Sequence, residues 1–144
     1  YNNYKNSFNY YSNGGFGMSI HKALSELAPN ACWCMDGAQT YDNLQWNSKD
    51  IKQPSEAQVN AKIAEIEAAF PLKFLRRERD AMLKESDWTQ TPDVPESIQT
   101  AWKTYRQELR DLPSKYPNPT FDGEVNVASK HLRLTDVVWP TKPS

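Results

Sequence analysis

A chain of 144 residues, 38% apolar and 24% charged, is long enough for one modest core and polar for a globular domain without being disordered in composition. Its formal net charge of -1, with the two signs interleaved, supplies no basic stripe for phosphates, so nucleic acid is disfavoured as a partner. No apolar run approaches the roughly 20 residues that span a bilayer and no charged-then-apolar leader opens the sequence, so no membrane partner is expected.

Residues 1–17 are rich in Tyr, Asn, Ser and Gly, with aromatic rings at Tyr1, Tyr4, Phe8, Tyr10, Tyr11 and Phe16 but no helical or alternating period. An irregular arm is expected, either unpacked or ordered against a partner. A core beginning near Met18 follows. Ser19 is a natural N-cap for a short helix carrying Ile20, Ala23, Leu24 and Leu27, which stops before Pro29. The run Ala31-Cys32-Trp33-Cys34-Met35 leads into the turn signal Asp36-Gly37, and Leu44-Gln45-Trp46 alternates as a return strand. Residues 18–53 thus read as a short helix plus a β-hairpin with a long loop. Cys32 and Cys34 are too close for an unstrained disulfide in extended chain and lack the second pair a structural zinc needs; reduced, partly buried thiols are expected.

Ser55-Glu56-Ala57-Gln58 has the form of a capping box and starts a helix after Pro54. Val59, Ile63, Ile66 and Phe70 recur at steps of four, three and four, with Lys62, Glu65 and Glu67 off that stripe. Pro71 is expected to kink or interrupt the helix, which resumes with Leu72, Leu75, Met82 and Leu83, while positions 76–80 form a charged, solvated face. Positions 86–95, with Pro92 and Pro95, form an elbow. A further helix over 96–112 repeats the four-three-four spacing at Ile98, Trp102, Tyr105 and Leu109. Residues 54–112 therefore read as a helical hairpin, in which Trp88 and Trp102 serve as core or as exposed anchors. Residues 113–144 read as a Pro-rich loop and a C-terminal strap, where Pro113 ends the helix, positions 116–126 form a loop with room for a short hairpin, and Leu132, Leu134, Val137, Val138 and Trp139 pack back. The fold class is mainly α with a small β portion: an N-terminal β-hairpin followed by an antiparallel helical hairpin, with extended termini.

Catalytic chemistry finds no foothold. His21 and His131 are far apart and lack carboxylate or thiol companions at ligand spacing, and there is no phosphate loop, nucleophile elbow or carboxylate pair in an apolar setting. The expectation is no enzyme, no metal and no cofactor.

The ordered string Arg79-Asp80-Ala81-Met82-Leu83-Lys84-Glu85-Ser86-Asp87-Trp88-Thr89-Gln90, then Pro92-Asp93, then Trp102 and Tyr105-Arg106-Gln107-Glu108-Leu109-Arg110-Asp111, resembles the phage tail assembly chaperone family, and Val137-Val138-Trp139-Pro140 resembles that family's ending. Residues 18–70 are similar to small phage virion-associated proteins encoded near tail genes. The stretch 116–136 departs from the family by separating the two patches more widely. The resemblance implies a bacteriophage tail or tail-fibre assembly chaperone or accessory protein, present in the host cytoplasm during assembly, that binds a tail-fibre or other tail structural protein. The alternative it implies is a permanent virion component of baseplate or fibre, or a fibre-tip adhesin serving host attachment, oligomerised with other virion proteins. The expected partner-binding residues are Trp88, Trp102, Tyr105, Arg106, Arg79 and Asp87, with Arg79 and Asp87 bracing the elbow by a charged hydrogen bond.

Overall fold

A computed structural model describes residues 20–121 and 133–143. The arm at 1–17, Met18, the Ser19 cap, His131 and Leu132 lie outside the described residues. In chain order come α1 (Ile20–Leu27), strands β1 (Trp33–Met35) and β2 (Leu44–Trp46), a long α2 (Glu56–Glu85) and α3 (Glu96–Lys115), with 3-10 turns at Tyr41–Asn43 and Asp87–Gln90. The mainly helical class, the small hairpin and the helical hairpin are as the sequence predicts.

Strands β1 and β2 pair antiparallel in the register Trp33↔Trp46, Cys34↔Gln45, Met35↔Leu44. Alternation along a strand puts Trp33, Met35, Leu44 and Trp46 on the inner face against α1 and α2. It also turns Cys32 and Cys34 outward, so both thiols are free as expected but exposed rather than partly buried. Gly37, at φ 83°, supplies the left-handed turn residue after β1. The loop is tied to the start of α2: the Tyr41 hydroxyl donates to Pro54 O at 2.6 Å, and the Trp46 indole donates to Ile51 O at 2.8 Å.

The capping box forms as the sequence requires. Gln58 N donates to Ser55 Oγ at 3.3 Å, and Ser55 N donates to the Gln58 side chain at 2.9 Å. Ser55→Ala should therefore lower stability by about 1 kcal/mol, read as a fall in thermal midpoint, whereas Ser55→Asp should hold it.

α2 runs through Pro71 as one helix, correcting the expected interruption. A proline within a helix forfeits the single bond from its own nitrogen to the carbonyl four residues back, here that of exposed Glu67, where water can take over. α3 likewise continues past Pro113 to Lys115, because one missing bond in a last turn costs little.

Among the described residues the buried apolar side chains form two clusters rather than the single core expected. One joins Ile20, Ala23 and Leu24 of α1 to Val59 and Ile66 of α2, with the hairpin aromatics packed on it. The other joins Phe74 and Leu75 of α2 to Trp102, Tyr105, Leu109 and Leu112 of α3 and to Leu134 and Val137. A 30-residue helix is about 45 Å long, more than one small cluster can cover, and Glu67, Ala68 and Ala69 between the clusters are exposed. Leu24, Val59, Leu75 and Leu109 are each 0% exposed, and burying such a side chain contributes about 1.5–3 kcal/mol.

Candidate functional site

The elbow between α2 and α3 is built by short polar side chains. Ser86 ends α2, its hydroxyl donating to Met82 O and Leu83 O at 2.9 and 3.0 Å, which satisfies carbonyls that the helix leaves unpaired. Thr89, fully buried, donates to Ser86 O at 2.7 Å and so holds the 3-10 turn against the helix end. From α3, the Gln99 amide donates to Val94 O and Thr91 O at 2.8 and 3.1 Å, fixing the proline-bearing stretch to the next helix.

Arg106, 8% exposed, is the brace across the hairpin. Its Nη1 donates to Leu83 O at 2.6 Å and to Ser86 Oγ at 2.7 Å, and its Nη2 donates to Asp87 Oδ1 at 2.8 Å. One planar fork thus joins the Leu83 carbonyl in the last turn of α2, the cap Ser86 and the first turn residue Asp87, a geometry that lysine lacks. Its Nε is buried without a partner, which offsets part of the gain. The expected Arg79–Asp87 bond does not form. Arg79 lies a full two turns earlier on α2 and sits 2.7 Å from Asp80 in an ion pair that is off-line for a hydrogen bond, so Arg106 takes the role instead.

The aromatic residues separate by exposure. Trp102 is 5% exposed and Tyr105 6%, packed edge to face with ring centroids 5.6 Å apart. Trp88 is 56% exposed and leans on Trp102 at 5.8 Å and 59°. Trp102 is thus core and Trp88 is surface, where the sequence offered one answer for both. Ile98, on the same stripe by spacing, is 41% exposed because it lies in the first turn of α3, beyond the cover of α2. Ile98 and Trp88 are thus two exposed apolar side chains at the elbow end, and the Trp88 ring rests on Trp102.

The C-terminal segment returns to this site. Phe121 and Leu134 form an isolated antiparallel bridge, and Thr135 N donates to Thr120 O at 3.0 Å. Leu134 and Val137 are buried against the α2–α3 cluster and Trp139 is half-buried, but Val138 is 72% exposed, so the tail packs as a strap without being a strand. The Val138 amide donates to the Tyr116 hydroxyl at 3.2 Å, at the far end of α3. Lys142 reaches Glu85 at 2.8 Å and lies 5.8 Å from the Trp102 ring centre. The Glu85 hydrogen bond and charge hold the Lys142 ammonium above its ordinary range, so it stays charged at neutral pH. Burial raises the Tyr105 phenol, a shift that Lys142 opposes, and it stays neutral there too.

Among the described residues no group of three or more His, Cys, Asp or Glu is placed to hold a metal, and no helix is long and apolar enough to cross a membrane. What the arrangement offers is a braced corner carrying an exposed indole. Sequence reading singled out Arg106 and both tryptophans but missed Phe74, Ser86 and Lys142. Phe74 has a helical signal, four residues after Phe70, and their rings lie 6.4 Å apart.

A family model described as phage tail assembly chaperone protein matches residues 72–144, just over half of the chain. The match takes in the second cluster, the elbow, α3 and the strap, and leaves α1 and the β-hairpin outside it. No curated protein and no solved structure matches the chain.

Proposed function

Because the chain belongs to the phage tail assembly chaperone family, with a role in building a phage tail, we propose that it acts by capturing an immature tail or tail-fibre protein on the elbow surface. The observation that carries this reading is Trp88: a large ring 56% exposed, held in place by a buried partner, Trp102, and by the Arg106–Asp87 brace beneath it. A preorganised indole loses little freedom on binding, and such anchors with polar rims dominate protein–protein affinities. With no phosphate loop in its sequence, the protein works by differential affinity: it covers apolar surface on the unassembled client and lets go when the assembled tail buries that surface. Such work is done in the host cytoplasm, where tail subunits accumulate. Trp102, Tyr105, Arg106 and Asp87 position the anchor in this reading, and Arg79 contributes only to the flank of α2.

The test is co-expression with each neighbouring tail gene product, scored for rescue of solubility and for complex formation. Trp88→Ala should change stability by less than about 1 kcal/mol, since its ring is mostly exposed, yet weaken capture at least about tenfold. Capture by Trp88→Ala at wild-type strength removes the elbow as the binding surface. Mass spectrometry of purified particles reads the fate of the protein, and a stoichiometric copy number there assigns it to the finished tail instead of to transient assembly.

A further inference from the structure

The strap is seated on the hairpin in an unusual way. Its apolar contacts are Leu134, Val137 and Trp139: bends at Thr135 and Asp136 separate the first two, and beyond them alternation puts Val137 and Trp139 on one side and exposed Val138 on the other. Beyond Asp136 its polar ties are sparse: one amide to the Tyr116 hydroxyl at the far end of α3 and, at the elbow end, one exposed ion pair, Lys142 to Glu85, with side chains 56% and 68% exposed. Between strap and α2 lies a cleft of about 360 Å³, lined by Phe74, Glu78 and Met82 on one side and by Arg133, Val137 and Trp139 on the other. The cleft opens to solvent, so the strap is not packed against α2 along its whole length.

We propose that the strap is a displaceable internal ligand of the α2–α3 groove, and that a segment of the client with the same bent course, apolar residues at the same three-and-two spacing and a cation at its end takes its seat. The occupant follows from the one already there. The groove accepts a chain that bends at Thr135 and Asp136, its wall is Phe74, Tyr105 and Leu112, and its elbow end carries the Glu85 carboxylate that selects a positive charge. Displacement bares apolar surface only while a client covers it, so an empty protein keeps that surface hidden from aggregation. The inference rests on client capture only for the identity of the outside segment.

The experiment uses the full chain with Cys32→Ser, Cys34→Ser, Glu85→Cys and Lys142→Cys, closed by a reducible bismaleimide. The linker is needed because the ion pair is reached through two long side chains, farther apart at the backbone than a disulfide bridges. The probe is a fluorescent peptide of residues 133–143. The linked protein should bind it at least about tenfold more weakly than the same protein after reduction, because the tethered strap competes at high effective concentration. Lys142→Glu, a surface change that repels Glu85, should raise peptide affinity over wild type. Equal binding before and after reduction, or no saturable binding to Lys142→Glu with its melting intact, overturns the proposal. The peptide arm needs no client. A linked protein that still captures the tail protein found by co-expression sinks strap exchange and leaves the elbow reading standing.

Discussion

Trp102→Ala should lower the stability of the protein by about 3–5 kcal/mol, the range for truncating a buried aromatic ring, and its thermal midpoint by roughly 10–20 °C for a chain of this size. The ring is 5% exposed and touches Trp88 and Tyr105, with Lys142 above it, so its removal opens a cavity where α2, α3, the elbow and the strap meet. Trp102→Phe should recover part of the loss. A melting temperature within a few degrees of wild type for Trp102→Ala would mean that the elbow closes without this ring, and the account of Trp88 as an anchor seated on a buried partner would go with it.

Arg106→Ala should cost about 2–4 kcal/mol by chemical denaturation, because the guanidinium serves Leu83 O, Ser86 Oγ and Asp87 together and all but one of those partners is sheltered from water. Arg106→Lys should recover little, since a single ammonium cannot reach three acceptors in one plane. The charge of Asp87 matters less than the shape of the fork. Asp87 is 64% exposed, and solvent screening should hold the coupling of an Arg106–Asp87 double-mutant cycle below about 1 kcal/mol. Arg106→Lys with wild-type stability would show that the contacts to the helix end are dispensable.

Elements with strong local signals were readable before any coordinates. The Ser55-Gln58 box, the Asp36-Gly37 turn and the four-three-four spacing of α3 each state a local geometry, and each forms. Signals that depend on which neighbour arrives were not readable. Trp88 sits in a non-periodic turn, so nothing in its spacing gives its direction, whereas the period of α3 places Trp102 inward. Lys142 meets Glu85 from 57 residues away, a pairing that no local pattern encodes. Arg79 was given a partner by adjacency in a motif, but the side chain that faces Asp87 comes from the opposite helix. The thiols, expected partly buried, are exposed: once Trp33 and Met35 face inward, alternation turns Cys32 and Cys34 to solvent, and which face of so short a strand is covered depends on α1 and α2. The continuity of α2 through Pro71 was not readable either, because the penalty depends on whether water reaches the Glu67 carbonyl.

That continuity sets an angle. At about 100° per residue, Val59 and Ile66 face one side of the rod, while Phe74, Leu75 and Met82 centre on a direction on the order of 120° around it. The helix therefore works as an axle on which the N-terminal unit and the elbow are keyed in fixed phase. One residue inserted at Ala68 would turn the N-terminal unit by about 100° and move it about 1.5 Å, leaving both clusters whole, whereas seven would nearly restore the phase at about 10 Å greater span. Any task that needs both ends to meet one tail subunit at once would feel the first change as misalignment and the second as reach.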